Sequence, residues 1–372
     1  MKYKLSSILS EYKETNDKSL YEPVAVGKYG IRKRSEIYKK KLSDDYAKNK
    51  VIRENCLIVG MGSNQIDVGV LLRDEIYSVS PAYHTYRINT ELINSDYIEL
   101  LFNAKNANYF NKYSIATARQ GKKIDLKALL GEEVDVPSFD IQKKTVELIA
   151  HIKYLINTEE ASLLLLDELI KSRFNEMFAN CINYEKLGNL SILITKGASP
   201  KWQGINYIKS GVLFVTSENV RNGFMDLSNP KYLEEKVNIK QPRSVLQRGD
   251  ILINIVGASI GRAAIYNLDL LANINQAVCL VRISKLINPI YLINYLNSND
   301  AMIQYKNMIK SMARDNLSLQ NIADIQIPLP EKEKQDEFDA FVDRIDKLKF
   351  NTQQRIEKYQ ELLNKIMDEY FN

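Results

Sequence analysis

The sequence predicts an α+β protein made of two related domains of mixed β-sheet and helices, each followed by a long helix. Two observations favour this fold class: one segment is written twice along the chain, and apolar residues recur at every seventh position after each domain. The segment "ELIKSRFNEMF" at residues 168–178 returns as "ELLNKIMDEYF" at residues 361–371, an offset of 193 residues. With 372 residues, the chain is long enough for two domains with separate cores.

The repeat extends well upstream of these two segments. At the same offset, Pro137 corresponds to Pro330 and Gln142 to Gln335. Further upstream the offset becomes 195, where "VIRENCLIV" corresponds to "LQRGDILIN", and near the start "YKLSSIL" corresponds to "EKLGNLSIL". One unit of roughly 185 residues is therefore written twice, and this period is too long for a solenoid. Each copy is expected to form a domain with an attached element.

The attached element is predicted from apolar residues with heptad spacing. Such a pattern is typical of a coiled-coil seam, and it continues for about five heptads in each copy. Each predicted helix begins after a strand that ends in proline, in "VDVPSFDIQKK" and "IQIPLPEKEKQ". The alternative is that each helix packs only on its own domain, and the continuous seam argues against it. The seam residues are Ile149, Ile156, Leu163 and Ile170 in the first copy, and Val342, Ile356 and Leu363 in the second.

Domain boundaries follow from the repeat and from the seam. We expect a first domain at residues 1–138, a central helix at 139–182, a second domain at 183–330 and a C-terminal helix at 331–372. Within the domains, short β-branched runs such as "CLIVGMG" and "GDILINIVG" alternate with turns, and a helical stretch and a last strand follow. This irregular order favours a mixed sheet over a doubly wound parallel one.

Composition narrows the class of protein. Apolar residues make up 45% of the chain and charged residues 26%, as in a soluble globular protein. The three cysteines are far apart and only two histidines occur, so no disulfide framework, zinc site or histidine-based catalysis is expected. There is no apolar run long enough to span a bilayer, and the predicted location is the reducing cytoplasm.

Catalytic motifs give no assignment. The chain has no GxxxxGK phosphate loop, and "PEKEK" at residues 330–334 is better explained as the solvated first turn of a helix than as part of a nuclease site. We therefore predict no catalytic residue, no metal ligand and no cofactor bound to this chain.

Positive charge is concentrated in the first fifty residues. They hold thirteen Lys or Arg and seven Asp or Glu, while the net charge of the whole chain is +5. Tyrosines lie among these cations, a mixture that suits phosphate contact and base stacking. A solvated basic loop is the alternative for this stretch alone. The candidate DNA-binding residues here are Lys28, Arg32, Lys33, Arg34, Lys39 and Lys40.

Other candidates lie at turns between predicted strands. Arg pairs in a bidentate manner with guanine, and Asn or Gln with adenine, in the major groove. A single such loop is more often a surface turn, but these loops recur at corresponding places in both copies. The candidates are Asn64, Gln65, Arg119, Gln120, Lys122, Lys196, Lys201, Trp202, Asn219, Arg221, Arg262, Asn273, Asn275, Gln276 and Arg314.

This layout resembles the specificity subunits of type I restriction-modification systems. The resemblance is strongest in "RGDILINIVGASIGRAAIY" (residues 248–266), "LLANINQAVCLVRI" (270–283), "ARDNLSLQNIADIQIPLPEKEKQ" (313–335) and "RIEKYQELLNKIMDEYF" (355–371). The first copy is a more divergent version of the same pattern. Individual motifs are moderately specific, but their order, repeated twice over essentially the whole chain, is highly so.

The resemblance implies a function and a set of partners. The two domains would be target recognition domains, each reading one half of a two-part sequence in double-stranded DNA. The helices would form an antiparallel coiled coil that acts as a spacer and docks two methyltransferase subunits, with restriction subunits in the full complex. Catalysis and S-adenosylmethionine would belong to the methyltransferase subunits.

Two other classes remain open from the sequence. One is a self-contained enzyme, which would methylate or cut DNA on its own. The other is a coiled-coil interaction protein or a stand-alone DNA-binding protein without methyltransferase partners. An interaction protein with incidental basic loops would show no salt-sensitive DNA binding even with a methyltransferase present.

Overall fold

The computed structural model describes residues 1–27, 30–38, 45–62, 66–104, 110–116, 122–310 and 316–371. The chain divides into two compact units. Unit 1 comprises Met1–Glu160 together with Gln354–Asn372, and unit 2 comprises Ala161–Gln353. Two helices of 40 residues each, the central helix Phe139–Phe178 and the C-terminal helix Lys332–Phe371, contribute to both units. They occupy the stretches predicted at 139–182 and 331–372.

Unit 1 is built from short strands with helices between them. Its helices, other than parts of the two long ones, are Leu5–Ile8, Arg34–Ile37, Ser95–Ala104 and Leu126–Leu130, with 3-10 turns at Asp17–Ser19 and Asn111–Tyr113. Its strands are β1 (Lys2–Lys4), β2 (Leu9–Glu11), β3 (Val24–Gly27), β4 (Gly30–Lys33), β5 (Lys50–Ile52), β6 (Cys56–Met61), β7 (Ile66–Leu71), β8 (Tyr77–Val79), β9 (His84–Ile88), β10 (Ser114–Ala116), β11 (Lys122–Ile124) and β12 (Glu133–Asp135).

The main sheet of unit 1 is antiparallel, with the order β2-β9-β6-β7. β6 lies inside this sheet and its first five residues are buried, which explains the apolar run "CLIVG". Ile58 of β6 packs with Val26 of β3, Ile52 of β5 and Val79 of β8 in one apolar core. Residues on both faces of β6 are buried, which favours apolar and β-branched side chains along the whole strand.

Unit 2 is also built from short strands with helices between them. Its helices, besides parts of the two long ones, are Lys236–Lys240, Pro289–Leu296, Asn299–Lys310 and Leu319–Ala323, with 3-10 turns at Lys201–Gln203, Pro242–Ser244 and Gly257–Ser259. Its strands are β13 (Tyr184–Lys186), β14 (Ser191–Lys196), β15 (Tyr207–Ile208), β16 (Val212–Val215), β17 (Tyr232–Leu233), β18 (Ile251–Asn254), β19 (Ala263–Ile265), β20 (Ala272–Ile274), β21 (Val278–Ile283) and β22 (Gln326–Pro328).

Unit 2 contains two four-stranded sheets. The first is antiparallel and has the order β14-β21-β18-β19. The second has the order β15-β17-β16-β20, and its β16–β20 pair is parallel while the others are antiparallel. The prediction of mixed α and β structure is confirmed, and this second sheet is a mixed one.

The same local architecture occurs in each unit. β2-β9-β6-β7 and β14-β21-β18-β19 have matching strand order and matching antiparallel directions. A short antiparallel pair joins the start of each domain to its last strand, β1 with β12 and β13 with β22. The repeated glutamines also have the same role. Gln142 accepts a hydrogen bond from the backbone N–H of Asn94 (2.7 Å), and Gln335 accepts one from that of Asn288 (2.8 Å).

The duplicated segment packs its aromatic residues into the core of unit 2. Phe174 and Phe178 of the central helix contact Tyr291 and Phe338, with ring centroids 4.8–5.6 Å apart. All four side chains are buried. In unit 1, Phe371 from the second copy of the segment packs on Tyr97 at 5.1 Å. The segment is therefore a helix end that anchors to a domain through aromatic contacts.

The predicted seam residues are buried or partly buried along both long helices. In unit 1, Ile149, Ile156 and Ile356 are at most 8% exposed. In unit 2, Val342 is 5% exposed, and Leu163 and Ile170 are partly buried. Leu363, in unit 1, is also partly buried.

Charged residues that interrupt the seam form ion pairs between the long helices. Within unit 2, Asp167 pairs with Lys349 (2.6 Å) and Arg173 with Glu337 (2.9 Å). In both pairs one residue comes from the central helix and its partner from the C-terminal helix. Arg173 and Lys349 stand at positions where the heptad pattern would place apolar residues, and each is paired with an opposite charge.

In the described part of the chain, no helix combines the length and the apolar character that crossing a membrane requires.

Candidate nucleic-acid interface

The turn between β18 and β19 carries Arg262. Two glycines with left-handed backbone, Gly257 (φ +78°) and Gly261 (φ +86°), shape this turn. The backbone carbonyl of Arg262 accepts a hydrogen bond from the N–H of Asn254 (2.9 Å), which fixes the residue next to the strand. The Arg262 side chain is partly exposed. A fork-shaped cation therefore projects from an ordered turn, as base-edge recognition requires.

Asn254 organises this turn and was not predicted from the sequence. Its side chain is fully buried, and its amide donates to the carbonyl of Ser217 (3.0 Å) and to the hydroxyl of Ser259 (3.2 Å). It thereby joins the Arg262 turn to the neighbouring loop. The available signal was a single amide residue at the end of the apolar run "DILIN". A buried polar residue of this kind is retained when its hydrogen bonds hold backbone in place.

The loop after β16 corrects one predicted contact. Asn219 is 4% exposed, and its side chain accepts from the Thr216 backbone and donates to the carbonyl of Asp226. Its hydrogen bonds are used inside the loop, so the prediction that it contacts DNA is wrong for this conformation. Arg221 is partly exposed and pairs with Asp226 (3.1 Å). A DNA contact by Arg221 would compete with this ion pair.

The segment "NINQ" corrects a second contact. Asn273 is fully buried and is bonded to Ser244 (2.7 Å), Asn238 (2.8 Å) and the carbonyl of Gln241 (3.1 Å). It supports the domain from inside and cannot reach DNA in this structure. Asn275 and Gln276 lie in the following turn.

These two residues differ in how they are held. The side-chain oxygen of Asn275 accepts from the backbone N–H of Ala277 (3.0 Å), which orders the turn, and Asn275 is partly exposed. Gln276 is exposed. Both remain candidates for contact with DNA.

The end of β14 and the loop between β14 and β15 present three exposed candidates of unit 2. Trp202 is 90% exposed on the 3-10 turn Lys201–Gln203. Lys196 and Lys201 are exposed as well. The loop is anchored by Gln241, whose side-chain oxygen accepts from the backbone N–H of Ala198 (2.9 Å).

Three of the basic candidates of unit 1 lie on or just after the β3–β4 hairpin. Arg32 is exposed. Lys33 pairs with Glu22 (3.3 Å) and lies over the ring of Tyr77 (5.6 Å). The hydrogen bond to Glu22 raises the pKa of Lys33, so this ammonium stays charged. Arg34 lies over the ring of Tyr38, with its guanidinium carbon 5.8 Å from the ring centroid.

A pocket of about 310 Å³ opens beside this hairpin. Arg32 and Lys33 line it together with Arg73 and Tyr77. Arg73 was not predicted as a candidate, because it stands alone in the sequence between "VLL" and "DEIY". Lys122, exposed at the start of β11, lies elsewhere in the chain and does not line the pocket.

Several predicted residues lie outside the described part of the chain. They are Lys28, Lys39, Lys40, Asn64, Gln65, Arg119, Gln120 and Arg314.

An internal ion pair stiffens the sheet below the candidate loops of unit 2. Asp250 is 2% exposed and accepts two hydrogen bonds of 2.8 Å from the guanidinium of Arg282. Its carboxylate also accepts from the backbone N–H of Gln247 (2.7 Å). Asp250 raises the pKa of Arg282 through these hydrogen bonds. This arginine is therefore structural rather than available to DNA.

The described residues contain no group of three or more His, Cys, Asp or Glu side chains that could hold a metal ion. The arrangement instead offers cations, amides and one indole on ordered turns.

Comparisons with known proteins first define the class. Residues 201–360 match the family model of the type I restriction modification DNA specificity domain. Three solved chains share the fold over the whole length of this chain. They are a chain of a type I R-M system described for its complex assembly (15% identity, 97% of that chain, TM-score 0.63), the HsdS subunit from Thermoanaerobacter tengcongensis (16%, 96%, 0.51) and the S subunit of a type I restriction-modification system from M. genitalium (12%, 96%, 0.55).

The sequence comparison agrees with the class. Over 141 residues the chain is 32% identical to the type I restriction enzyme EcoBI specificity subunit of Escherichia coli. The match covers 37% of this chain and 29% of that relative. Residues 201–360 are therefore similar to the type I restriction-modification DNA specificity domain, in agreement with the resemblance predicted from the sequence.

Proposed function

We propose that this chain is the DNA sequence-specificity subunit of a type I restriction-modification complex. The sheet-and-loop domain of each unit reads one half of a two-part site in double-stranded DNA. The observation that carries the proposal is the recurrence of one strand order in both units, one of which holds most of the residues matched to the specificity domain. Two related but divergent readers on one chain suit a site whose two halves differ.

The long helices connect the two readers. We infer that they form an antiparallel coiled coil that sets the spacing between the half-sites and docks two methyltransferase subunits. The heptad seam supports this arrangement, as do the Asp167–Lys349 and Arg173–Glu337 pairs, in which the residue numbers run in opposite directions. Restriction subunits complete the assembly, and catalysis and S-adenosylmethionine belong to the methyltransferase subunits.

The first experiment maps DNA methylation in cells with and without this gene. A two-part methylated sequence should disappear on deletion and return with the intact gene. If the same methylated sites persist in the deletion strain, the specificity role is refuted. The purified chain alone should neither methylate nor cut DNA, and either activity would favour a self-contained enzyme.

A second experiment exchanges residues 184–330 for the equivalent domain of a relative. One half of the methylated sequence should change, while the other half and the spacer stay the same. Reinsertion of the native segment through the same junctions is the control. A change in both halves at once would contradict independent readers.

Single substitutions divide the loop residues by role. Arg262→Ala should weaken binding of the methyltransferase complex to the mapped site by about 1–3 kcal/mol, with little change on random DNA. Arg248→Ala is a matched control, because Arg248 is exposed and paired with Asp269 (3.0 Å). Equal loss on both DNAs would make Arg262 a backbone contact.

The hairpin cations should act on phosphates. Replacing Arg32 or Lys33 by Ala should weaken binding to cognate and random DNA alike. The slope of log binding constant against log salt concentration should fall by about one unit per lost phosphate contact. An unchanged salt slope would assign the hairpin to the solvated surface.

A further inference from the structure

Trp202 is the only tryptophan in the chain, and it is 90% exposed. Aromatic side chains usually bury about 150–250 Å² each, and their exposure leaves this apolar area in water. Single exposed apolar side chains are common on protein surfaces, so the case for a partner rests on how the indole is presented and on the charges around it.

The turn that presents Trp202 is held firmly. The backbone N–H groups of Gln203 and Ile205 both donate to the carbonyl of Pro200 (3.0 Å each). Gly204 closes the turn with a left-handed backbone (φ +62°). At the start of the loop, Gly197 approaches β20 so closely that a Cβ would lie 1.7 Å from the carbonyl oxygen of Ile274. The indole is thus presented by a preorganised loop.

A buried polar network fixes the loop from below. The Gln241 side chain accepts from the Ala198 backbone and donates to the side-chain oxygen of Gln203 (3.2 Å). The carbonyl of Gln241 accepts in turn from Asn273, which Ser244 also holds. Asn273, which was predicted from the sequence to contact DNA, therefore supports the loop that carries Trp202.

The charges beside Trp202 narrow the choice of partner. Residues 196–204 contain two exposed lysines, Lys196 and Lys201, and no carboxylate. A third ammonium group, on Lys240, donates to the carbonyl of Gln203. Covering this loop with an apolar protein surface would desolvate these cations, whereas nucleic acid offers phosphates for them and base faces for the indole.

We propose that Trp202 stacks on the face of a base in the half-site read by unit 2, with Lys201 on an adjacent phosphate. This inference rests on the proposed function. The indole separates that base from one neighbour in the stack, as apolar wedges do in bent DNA. Trp202 is then a positioning residue that fixes the register of the loops around Arg262 on the duplex.

The test uses the complete complex with its methyltransferase subunits and the site identified by methylation mapping. Trp202→Ala should weaken binding about 5- to 150-fold, the range for one aromatic–base stack. Trp202→Phe should retain most of the affinity, because the phenyl ring still stacks. Tyr184→Ala is the matched control, since Tyr184 is also an exposed aromatic of unit 2 (57%) and should change nothing.

A base-removal scan locates the stacked base. Abasic substitutions are made one at a time through the half-site and measured with wild type and with Trp202→Ala. At one position, removal of the base should weaken the wild-type complex and leave the Trp202→Ala complex nearly unchanged, since the two losses share one contact. Additive losses at every position would overturn the proposal.

Two other outcomes would also overturn it. Trp202→Ala could leave DNA affinity unchanged, or it could reduce assembly with the methyltransferase subunits in the absence of DNA, measured by sedimentation. The second result would assign the indole to a protein contact. Failure of the proposed function is distinguishable, because the wild-type complex would then show no preference for the mapped site over random DNA.

Discussion

The carboxylate of Glu159 accepts two hydrogen bonds from the guanidinium of Arg355, each 2.7 Å long. Glu159 lies on the central helix and Arg355 on the C-terminal helix, both within unit 1. In the heptad pattern Glu159 interrupts the apolar seam. The structure gives this interruption a function, because a bidentate pair can form in only one alignment of the two helices.

We predict a small but measurable coupling between these two residues. Glu159→Ala and Arg355→Ala should each destabilise unit 1 slightly, and the double-mutant cycle should give a small favourable coupling, since the pair is partly solvated. Urea unfolding measures it. Arg344→Ala, also on the C-terminal helix, is the control partner. A coupling of zero would make the pair incidental.

The pair also predicts an acid dependence. The hydrogen bonds from Arg355 lower the pKa of Glu159 below its ordinary value of 4.5. Because the pKa of Glu159 is lower in the folded state than in the unfolded state, its ionised form stabilises the fold at pH values above the unfolded-state pKa. This contribution is lost as the pH falls through the folded-state pKa. The difference in stability between wild type and Glu159→Gln should therefore shrink as the pH is lowered below about 4.5. A difference that stays constant would contradict the assignment.

Gln335 joins the C-terminal helix to the domain of unit 2 and should matter for stability. It is 1% exposed, accepts from the Asn288 backbone (2.8 Å) and donates to the carbonyl of Pro330 (3.0 Å). Gln335→Ala leaves one buried N–H and one partly buried carbonyl unsatisfied and should cost about 1–3 kcal/mol in urea unfolding. Gln360→Ala, exposed on the same helix, should be neutral. Equal effects of the two substitutions would refute this role.

Seam burial predicts a contrast within one helix. Ile356 is 4% exposed and Leu362 is 44% exposed, both in unit 1. Ile356→Ala should lower the free energy of unfolding by about 2–5 kcal/mol, because it removes buried methyl groups and leaves a cavity. Leu362→Ala should cost about 0.5 kcal/mol or less. Thermal or urea unfolding measures both, and similar losses would show that the seam is not the buried face.

The cysteines should react very differently. Cys279 is fully buried, and burial raises its pKa to about 12; burial also raises the pKa of Cys56. Cys181 is partly exposed. At pH 8 a thiol reagent should label Cys181 rapidly and the other two only after unfolding, because the thiolate is the reactive species. In Cys181→Ser, rapid labelling should disappear. Fast reaction of a remaining thiol would contradict the described core.

The candidate site was predictable in its location more than in its individual contacts. Polar and basic residues at strand ends predicted loops that lie at the surface, because turns between strands must lie there. Asn219 and Asn273 were misassigned, since an amide that reads a base and an amide that satisfies buried backbone look alike in sequence. Asn254 and Gln241 were missed for the same reason: their partners are distant along the chain.

The sequence by itself predicted the repeat and determined the two long helices and the mixture of α and β structure, because these depend on periodicity and on local propensity, which neighbouring residues carry. Only the tertiary structure decided which side chains are paired or buried and which are exposed to solvent. Glu159 and Arg173 interrupt the seam in the sequence, and the other helix supplies Arg355 and Glu337 as their partners. Trp202 read as one loop residue among many until the fold left it in solvent. Burial and pairing are set by contacts between residues far apart in the chain, and no local pattern encodes them.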